Sequence, residues 1–320
     1  MSELSRAIER QPEVVEAMLS IDLRTAVERL GSAYRIWLVG TGTSQHAAEL
    51  GAWMLAGGER TVQWSSSAAF AWEPELGPDD AVVVISHTGE TAFARRARAH
   101  AATSQAQLIS ISGTGAAWPE AVQTIPPDGS ETYTESYMAA LTVLARIALA
   151  LGGAGFAEDE LLELPGVIRA ALQRPLPLDA APERLLVLAG VGPGAITARE
   201  GALKLREAAR LPAEGYEAEY LLHGSAVPLG ARDALLAIQP THDRFGLLAG
   251  LIAAADAEGL KVSTLVEPDA LHPVLMQFPL TARLQQLAAH LAETRRVNPD
   301  KVITGAWEDE ALWEAGAPDA

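Results

Sequence analysis

The sequence contains no cysteine, which removes disulfides, thiolate metal sites and a cysteine nucleophile. It is also poor in basic residues: 24 Lys and Arg stand against 41 Asp and Glu, a formal net charge of −17. A duplex nucleic-acid binder needs a basic face to displace counterions, and an anionic membrane surface asks for the same, so neither is expected as a partner. Long hydrophobic runs are missing too. The longest apolar stretch, Met138–Leu151, is interrupted by Thr142 and Arg146 and is too short to span a bilayer. The opening Met1–Gln11 is charged and helical in pattern, unlike a secretory signal. These features predict a soluble, cytoplasmic protein. What remains is substantial. Apolar residues make up 49% of the 320 positions and charged residues 20%, enough for a sizeable core and for two domains of ~150 residues. A small anionic substrate stays compatible with the acidic balance, because local hydrogen-bond donors can hold a phosphate on a protein of negative net charge.

The chain repeats itself at an offset of about 153 residues, and internal repeats come before any other reading of the fold. Asp80-Ala-Val-Val-Val-Ile-Ser86 lines up with Asp233-Ala-Leu-Leu-Ala-Ile-Gln239, and Gln107–Ser112 with Lys261–Val266. Val122–Pro126 pairs with Leu275–Pro279, and Arg35–Gly40 resembles Arg184–Gly190. Both of these glycines open a Gly-x-Gly-x-small turn followed by helix-compatible sequence.

Short apolar runs alternate with longer amphipathic segments in each half, the pattern of parallel strands joined by helices. Strands are predicted near 35–40, 61–65, 81–86, 107–112 and 121–125, with helices at 44–56, 90–102 and 136–151. In the second half, strands are predicted near 185–190, 234–239, 261–266 and 274–278, with a long helix from about 197 to 210. Gly152-Gly153 stops the preceding helix, and Pro165, Pro175, Pro177 and Pro182 break up the connection between halves. The expected fold is therefore α/β: two similar doubly wound, five-stranded parallel sheets in tandem, over residues 1–155 and 156–320. Trp307–Ala320 is acidic and alanine-rich, a docked helix or a loose tail.

Open doubly wound sheets bind ligands beyond the carboxyl ends of their strands, where the strand order reverses. For a flavodoxin-like order that point lies between the first and third strands. The loops there are Gly40-Thr-Gly-Thr-Ser44 and Ser86-His-Thr-Gly-Glu-Thr91. Both are rich in hydroxyls and glycines, and both lead into a helix whose free N–H groups can receive an anion. The alternative is that these Ser and Thr residues only cap helices. The first loop lacks the third glycine of a dinucleotide fingerprint and the Gly-Lys-Ser/Thr of a P-loop. The corresponding second-half loops, Gly190-Val-Gly-Pro-Gly194 and Gln239-Pro-Thr-His-Asp243, have lost most of their hydroxyls.

On these residues the sequence resembles the SIS (sugar isomerase) family, in the tandem arrangement of the isomerase half of glucosamine-6-phosphate synthase. Ala7-Ile-Glu-Arg-Gln-Pro12 is similar to that group's entry helix, and Gly42-Thr-Ser44 to its first phosphosugar loop. Ser86-His-Thr-Gly-Glu-Thr91 resembles its Ser-Gln-Ser-Gly-Glu-Thr loop, and Gly129-Ser-Glu131 with Ser136 its Gly-Thr-Glu…Ser segment. Glu200-Gly-Ala-Leu-Lys-Leu-Arg-Glu207 is the most specific match, with His223-Gly224 following at the family spacing. The resemblance implies a sugar phosphate as ligand. Thr43, Ser44, Ser86, Thr88 and Thr91 would hold the phosphate with His87 beside it, and Gly42, Glu131 and Ser136 would contact the sugar. It further implies Glu207 as the base moving a proton between C1 and C2, supported electrostatically by Lys204. His223 would open the sugar ring in the partner subunit's site of a homodimer, and Lys301 would contact the carbonyl. No metal and no cofactor is called for.

A hydrogen shift between adjacent carbons needs one base reaching both and a donor for the developing oxyanion. Against that reading, Glu207 and Lys204 lie three apart on a predicted helix and could form only a surface ion pair worth ~0.3 kcal/mol. His223 could be a turn residue and Lys301 a solvated one. Three departures from the family pattern stand out: His87 for the usual Gln, Ser225 for the Pro after His-Gly, and a shortened segment around Lys301. The glutaminase half of the synthase has no counterpart here, and no cysteine is present to release ammonia from glutamine. The expected function is aldose–ketose isomerisation or amino-sugar-phosphate deamination, with deglycation as a further option. The alternative is a regulatory protein that binds a sugar phosphate without turning it over.

Overall fold

The computed structural model describes residues 1–72, 75–268 and 271–318. In chain order the elements are α1 (Glu3–Met18), α2 (Arg24–Gly31), β1 (Arg35–Gly40), α3 (Thr43–Leu55), β2 (Thr61–Ser66), α4 (Ser67–Phe70), β3 (Asp80–Ile85), α5 (Ala92–Thr103), β4 (Gln107–Ser112), β5 (Ala121–Gln123) and α6 (Glu135–Ala150). They continue with α7 (Glu158–Ala171), β6 (Leu186–Gly190), α8 (Pro193–Ala209), β7 (Ala213–Glu217), α9 (Ala218–Tyr220), β8 (Ala234–Ile238), α10 (Leu247–Ala257), β9 (Lys261–Leu265), α11 (Gln277–Thr294) and α12 (Glu310–Glu314).

β1 to β5 form one parallel sheet in the order β2-β1-β3-β4-β5, and β6 to β9 a second parallel sheet in the order β7-β6-β8-β9. Each central strand reads as a continuous apolar run, as strands covered on both faces do. All six residues of β3, including Val82, Val83 and Val84, are buried. Alternation along β1 divides its side chains between the two faces. Trp37 and Val39 pack with Val82, Val84 and the α5 alanines Ala94, Ala97 and Ala101. Leu38 faces α3, where a side chain at Gly51 would collide with Leu38 and with Leu144 of α6. The repeat carries into structural detail. Arg35 makes a bidentate pair with Asp80 (2.6 and 2.8 Å), and Arg184 does the same with Asp233.

By contacts the chain divides into two compact units, each assembled from several segments. One comprises Glu13–Asp128, Glu135–Leu162 and the chain from Ile303 onward; the other comprises Met1–Pro12, Gly129–Thr134 and Glu163–Val302.

Three expectations need correction. The run at 274–278 is not a strand: it is a buried turn entering α11. Periodicity alone does not separate a short buried strand from the start of a buried helix. The second sheet's fourth strand is instead β7, a polar, half-exposed edge that carries no apolar run to announce it. The second sheet thus has four strands among the described residues, where five were expected. Pro165 does not break the connection but lies inside α7. The tail is docked up to the last described residues. Arg95 pairs with Glu314 at 3.0 Å, and Arg96 donates to the carbonyls of Gly316 and Ala317. Residues 319–320 of that stretch lie outside the described residues. Among the described residues, no helix is long and apolar enough to cross a membrane.

Candidate functional site

β1 and β3 are neighbours in the first sheet, so the loops that follow them emerge side by side where the strand order reverses. The first loop turns so tightly that a Cβ on Gly40 would lie 2.4 Å from the backbone of Ser44. Gly42, at φ 58° and ψ −127°, occupies the N-cap of α3 and brings no capping side chain. Thr43 and Ser44 stand half-buried in the first helical turn.

The second loop is pinned to the end of β4, with Ser86 N donating to Ile111 O (3.1 Å) and Gly113 N to His87 O (2.8 Å). Inside it, Ser86 Oγ accepts from Gly89 N (3.3 Å) and Thr88 Oγ1 from Glu90 N (3.2 Å). A hydroxyl that accepts an amide bond keeps its own proton to donate, so both still suit an anion. The helix-capping alternative fails for Thr91, which sits at the N-cap of α5 but makes no side-chain capping bond. Ser66 does cap its helix, accepting from Ala69 N at 3.1 Å. His87 turns inward and hydrogen-bonds the Pro126 backbone. Its Nε2 is 3.7 Å from Oδ1 of the buried Asp128, while Ser136 Oγ lies 3.5 Å from the other Asp128 oxygen. Burial holds the His87 ring below the usual imidazole pKa, against the opposing effect of its bond to the Pro126 carbonyl.

The other unit carries the charged cluster. On α8, Lys204 Nζ is 2.6 Å from Glu207 Oε2 and 3.6 Å from Glu200 Oε1. Lys204 and Glu200 are 0% exposed and Glu207 keeps 20% of its side chain accessible, so the surface ion-pair alternative is corrected. Burial pushes the Glu207 pKa up, and the adjacent Lys204 cation pulls against it. A carboxylate whose proton affinity is raised in this way, beside a fixed cation, is suited to take and return a proton.

His223 follows α9 in an irregular turn, with Gly224 at φ 109°. Its ring is 76% exposed, 3.9 Å from Glu219. Lys301 Nζ lies 3.1 Å from Glu131 Oε1, both side chains substantially exposed. Glu131 Oε2 also accepts from Val302 N (2.7 Å), and Arg210 donates to the Lys301 carbonyl (2.7 Å). The 300–302 segment is therefore fastened to Glu131. Among the described residues, no group of three or more His, Asp or Glu is placed to hold a metal ion.

Residues 29–120, which include both hydroxyl-rich loops, match the SIS domain family model. That stretch is a SIS domain. The chain is 28% identical over 315 residues to glutamine–fructose-6-phosphate aminotransferase (isomerizing) of Thermococcus kodakarensis, an alignment covering 87% of this chain and 52% of that protein. The chain spans about half the length of the curated relatives it matches. The C-terminal domain of glucosamine-fructose-6-phosphate aminotransferase from Francisella tularensis superposes with a TM-score of 0.78 at 20% identity, covering 94% of this chain and 98% of that one. Glucosamine-6-phosphate deaminase from Thermotoga maritima gives 0.74 at 17% identity, covering 94% and 97%. At these identities the two structures speak for the fold.

Two residues of the candidate site are not assigned a role by the sequence. Glu200 lies one helical turn before Lys204 in the quoted motif, and that i, i+4 spacing was the available signal. Asp128, just before Gly129-Ser-Glu131, meets His87 only through the fold.

Proposed function

We propose that this protein binds a hexose or hexosamine 6-phosphate and moves a proton between C1 and C2 through an enediol or enediolamine. The activity is that of an aldose–ketose isomerase or an amino-sugar-phosphate deaminase. The observation that carries the reading is the buried Glu200–Lys204–Glu207 cluster with its one accessible carboxylate of raised pKa. In this reading Thr43, Ser44, Ser86, Thr88 and Thr91 hold the phosphate, Gly42, Glu131 and Ser136 contact the sugar, and Glu207 is the base beside Lys204. His223, exposed on its turn, opens the ring in the site of a second copy, and the working form is a homodimer. The chain is read as two tandem doubly wound SIS domains, over residues 1–155 and 156–320.

A non-catalytic sugar-phosphate sensor is the second reading. It is favoured by Lys301, the candidate carbonyl contact, standing at the surface in a pair with Glu131. Incubation with a panel of hexose and hexosamine 6-phosphates, following ammonia release and aldose–ketose exchange, separates the two. Turnover of any member supports the enzyme; tight binding without ammonia, exchange or isomer across the panel leaves the sensor.

A further inference from the structure

The loop after β3 holds a titratable ring in the middle of its hydroxyls. His87 stands between Ser86 and Thr88 with 11% of its side chain exposed. Its ring lies against Gly113, where a Cβ would come within 2.6 Å of His87 Cε1. The ring donates to the Pro126 carbonyl, and Asp128 presents a carboxylate of 0% exposure at 3.7 Å. Asp128 in turn reaches Ser136 at the start of α6. Other charged groups on the surrounding elements are Glu90, exposed in the loop itself, and Glu135, buried in the first turn of α6. On α5, Arg95 and Arg96 are engaged by the C-terminal tail, and Arg98 by Glu120.

A histidine so placed feels opposed fields. Burial favours the neutral ring. A phosphoryl group among Ser86, Thr88 and Thr91 brings a charge of about −1.5 to −2 to a loop whose other donors are uncharged, and negative charge favours the imidazolium.

We propose that phosphosugar binding draws one proton from solvent onto His87, which becomes the cation of this loop with Asp128 as its buried counter-ion. His87 is thus a proton-coupled positioning residue, a role that a glutamine, the residue the SIS resemblance implies here, cannot play. The inference rests on the phosphosugar reading above. Its sign is fixed. One proton is taken up per ligand bound, so the affinity contributed by His87 falls as pH rises. The phosphate's own second ionisation near pH 6 works in the opposite direction.

Titration calorimetry of the full chain with glucose 6-phosphate, in paired buffers of different ionisation enthalpy, reads affinity and proton count together. His87→Gln keeps a polar, hydrogen-bonding side chain and removes the titration. The wild type should take up protons at pH 7.5 and the variant none. The ratio of the wild-type to the variant dissociation constant should rise about threefold or more from pH 7 to pH 8, against a limit of about tenfold per pH unit for a single proton. Asp128→Asn should reduce the uptake. Parallel affinity curves, or no proton uptake by the wild type, overturn the coupling and leave the phosphosugar reading intact. Absence of binding by the wild type at every pH, with glucose 6-phosphate and with each other hexose and hexosamine 6-phosphate of the panel, overturns both. Should His87→Gln fail to fold, the wild-type proton count decides alone.

Discussion

Gly42 adopts φ 58° and ψ −127°, and Gly192, its counterpart in the second half, φ 52° and ψ −127°; each is the N-cap of the helix that follows. A Cβ on Gly40 would fall 2.4 Å from the Ser44 backbone, and one on Gly190 2.4 Å from the Gly194 backbone. The two turns share a backbone, yet one continues with Thr43 and Ser44 and the other with Pro193 and Gly194. The difference extends along the helices. Gly51 packs on Leu38 and Leu144, and Gly201 on Leu188 and Leu284. In that register, the buried Leu50 and Met54 of α3 occupy the positions of Glu200 and Lys204 on α8. The same packing slot takes two apolar side chains in one half and an ion pair in the other. A buried ion pair is generally no more stabilising than apolar residues of similar size. Its presence on α8 is therefore better explained by chemistry than by stability. The loops after β3 and β8 diverge in the same way. Ser86 and Thr88 fill theirs with hydroxyls, whereas Gln239 is locked to the Glu267 backbone by two bonds of 2.7 and 2.8 Å. Glu267 also pairs with Arg283 and Arg174.

If α8 is the chemical helix and α3 the binding one, the largest effect belongs to Glu207. Glu207→Gln should lower turnover by ~10²–10⁴-fold while leaving sugar-phosphate affinity within about tenfold. Steady-state rates and a thermal-shift titration measure the two. The base works deprotonated and burial raises its pKa. The acidic limb of the kcat/KM profile should therefore lie above the range of an ordinary carboxylate. A Glu207→Gln protein with undiminished turnover would return α8 to a structural role.

Next in size is the ion pair itself. Lys204→Met alone leaves Glu200 buried without its cation and should cost about 3–5 kcal/mol. Glu200→Leu combined with Lys204→Met copies Leu50 and Met54 and removes the stranded Glu200, so it should recover a large part of that loss, although the partly exposed Glu207 still lacks its 2.6 Å partner. Urea unfolding of both proteins decides. If the double variant is as unstable as the single one, the α8 slot is not the equivalent of the α3 slot.

These contrasts divide what the sequence displays from what only the fold creates. The Gly-x-Gly turns, the hydroxyl-rich loops and the valine run of β3 are local patterns, and the structure places each on the element predicted for it. The burial of Lys204 is another matter, because a lysine followed three residues later by a glutamate reads as a solvated face. Its helix, α8, packs against β6 and β7 and against α11, an element distant in sequence, and Lys204 is fully buried. Asp128 and His87 are 41 positions apart and meet because β5 lies beside β4. β7 escaped notice because an edge strand needs no apolar face, and the run at 274–278 misled because a helix start can be just as apolar.

The smallest effect tests the shared backbone directly. A left-handed φ strains any residue that carries a Cβ, by about 1–3 kcal/mol. At Gly42 an added methyl meets nothing within 4 Å, so Gly42→Ala reads that strain without a clash. Gly192 has nearly the same φ and the same ψ, and Gly192→Ala should pay a similar backbone penalty. In the absence of ligand, the two variants should lose comparable stability by urea unfolding, each within that range. They should part when a sugar phosphate is added. Glucose 6-phosphate at ~100 times its dissociation constant protects by ~2.7 kcal/mol. Gly192→Ala should keep that protection, since its turn carries no hydroxyls to bind a phosphate. Gly42→Ala should lose part of it, because the strained residue leads directly into Thr43 and Ser44. Equal protection of both variants would remove the first turn from the binding site. Unequal strain without ligand would mean that the two turns are alike only in outline.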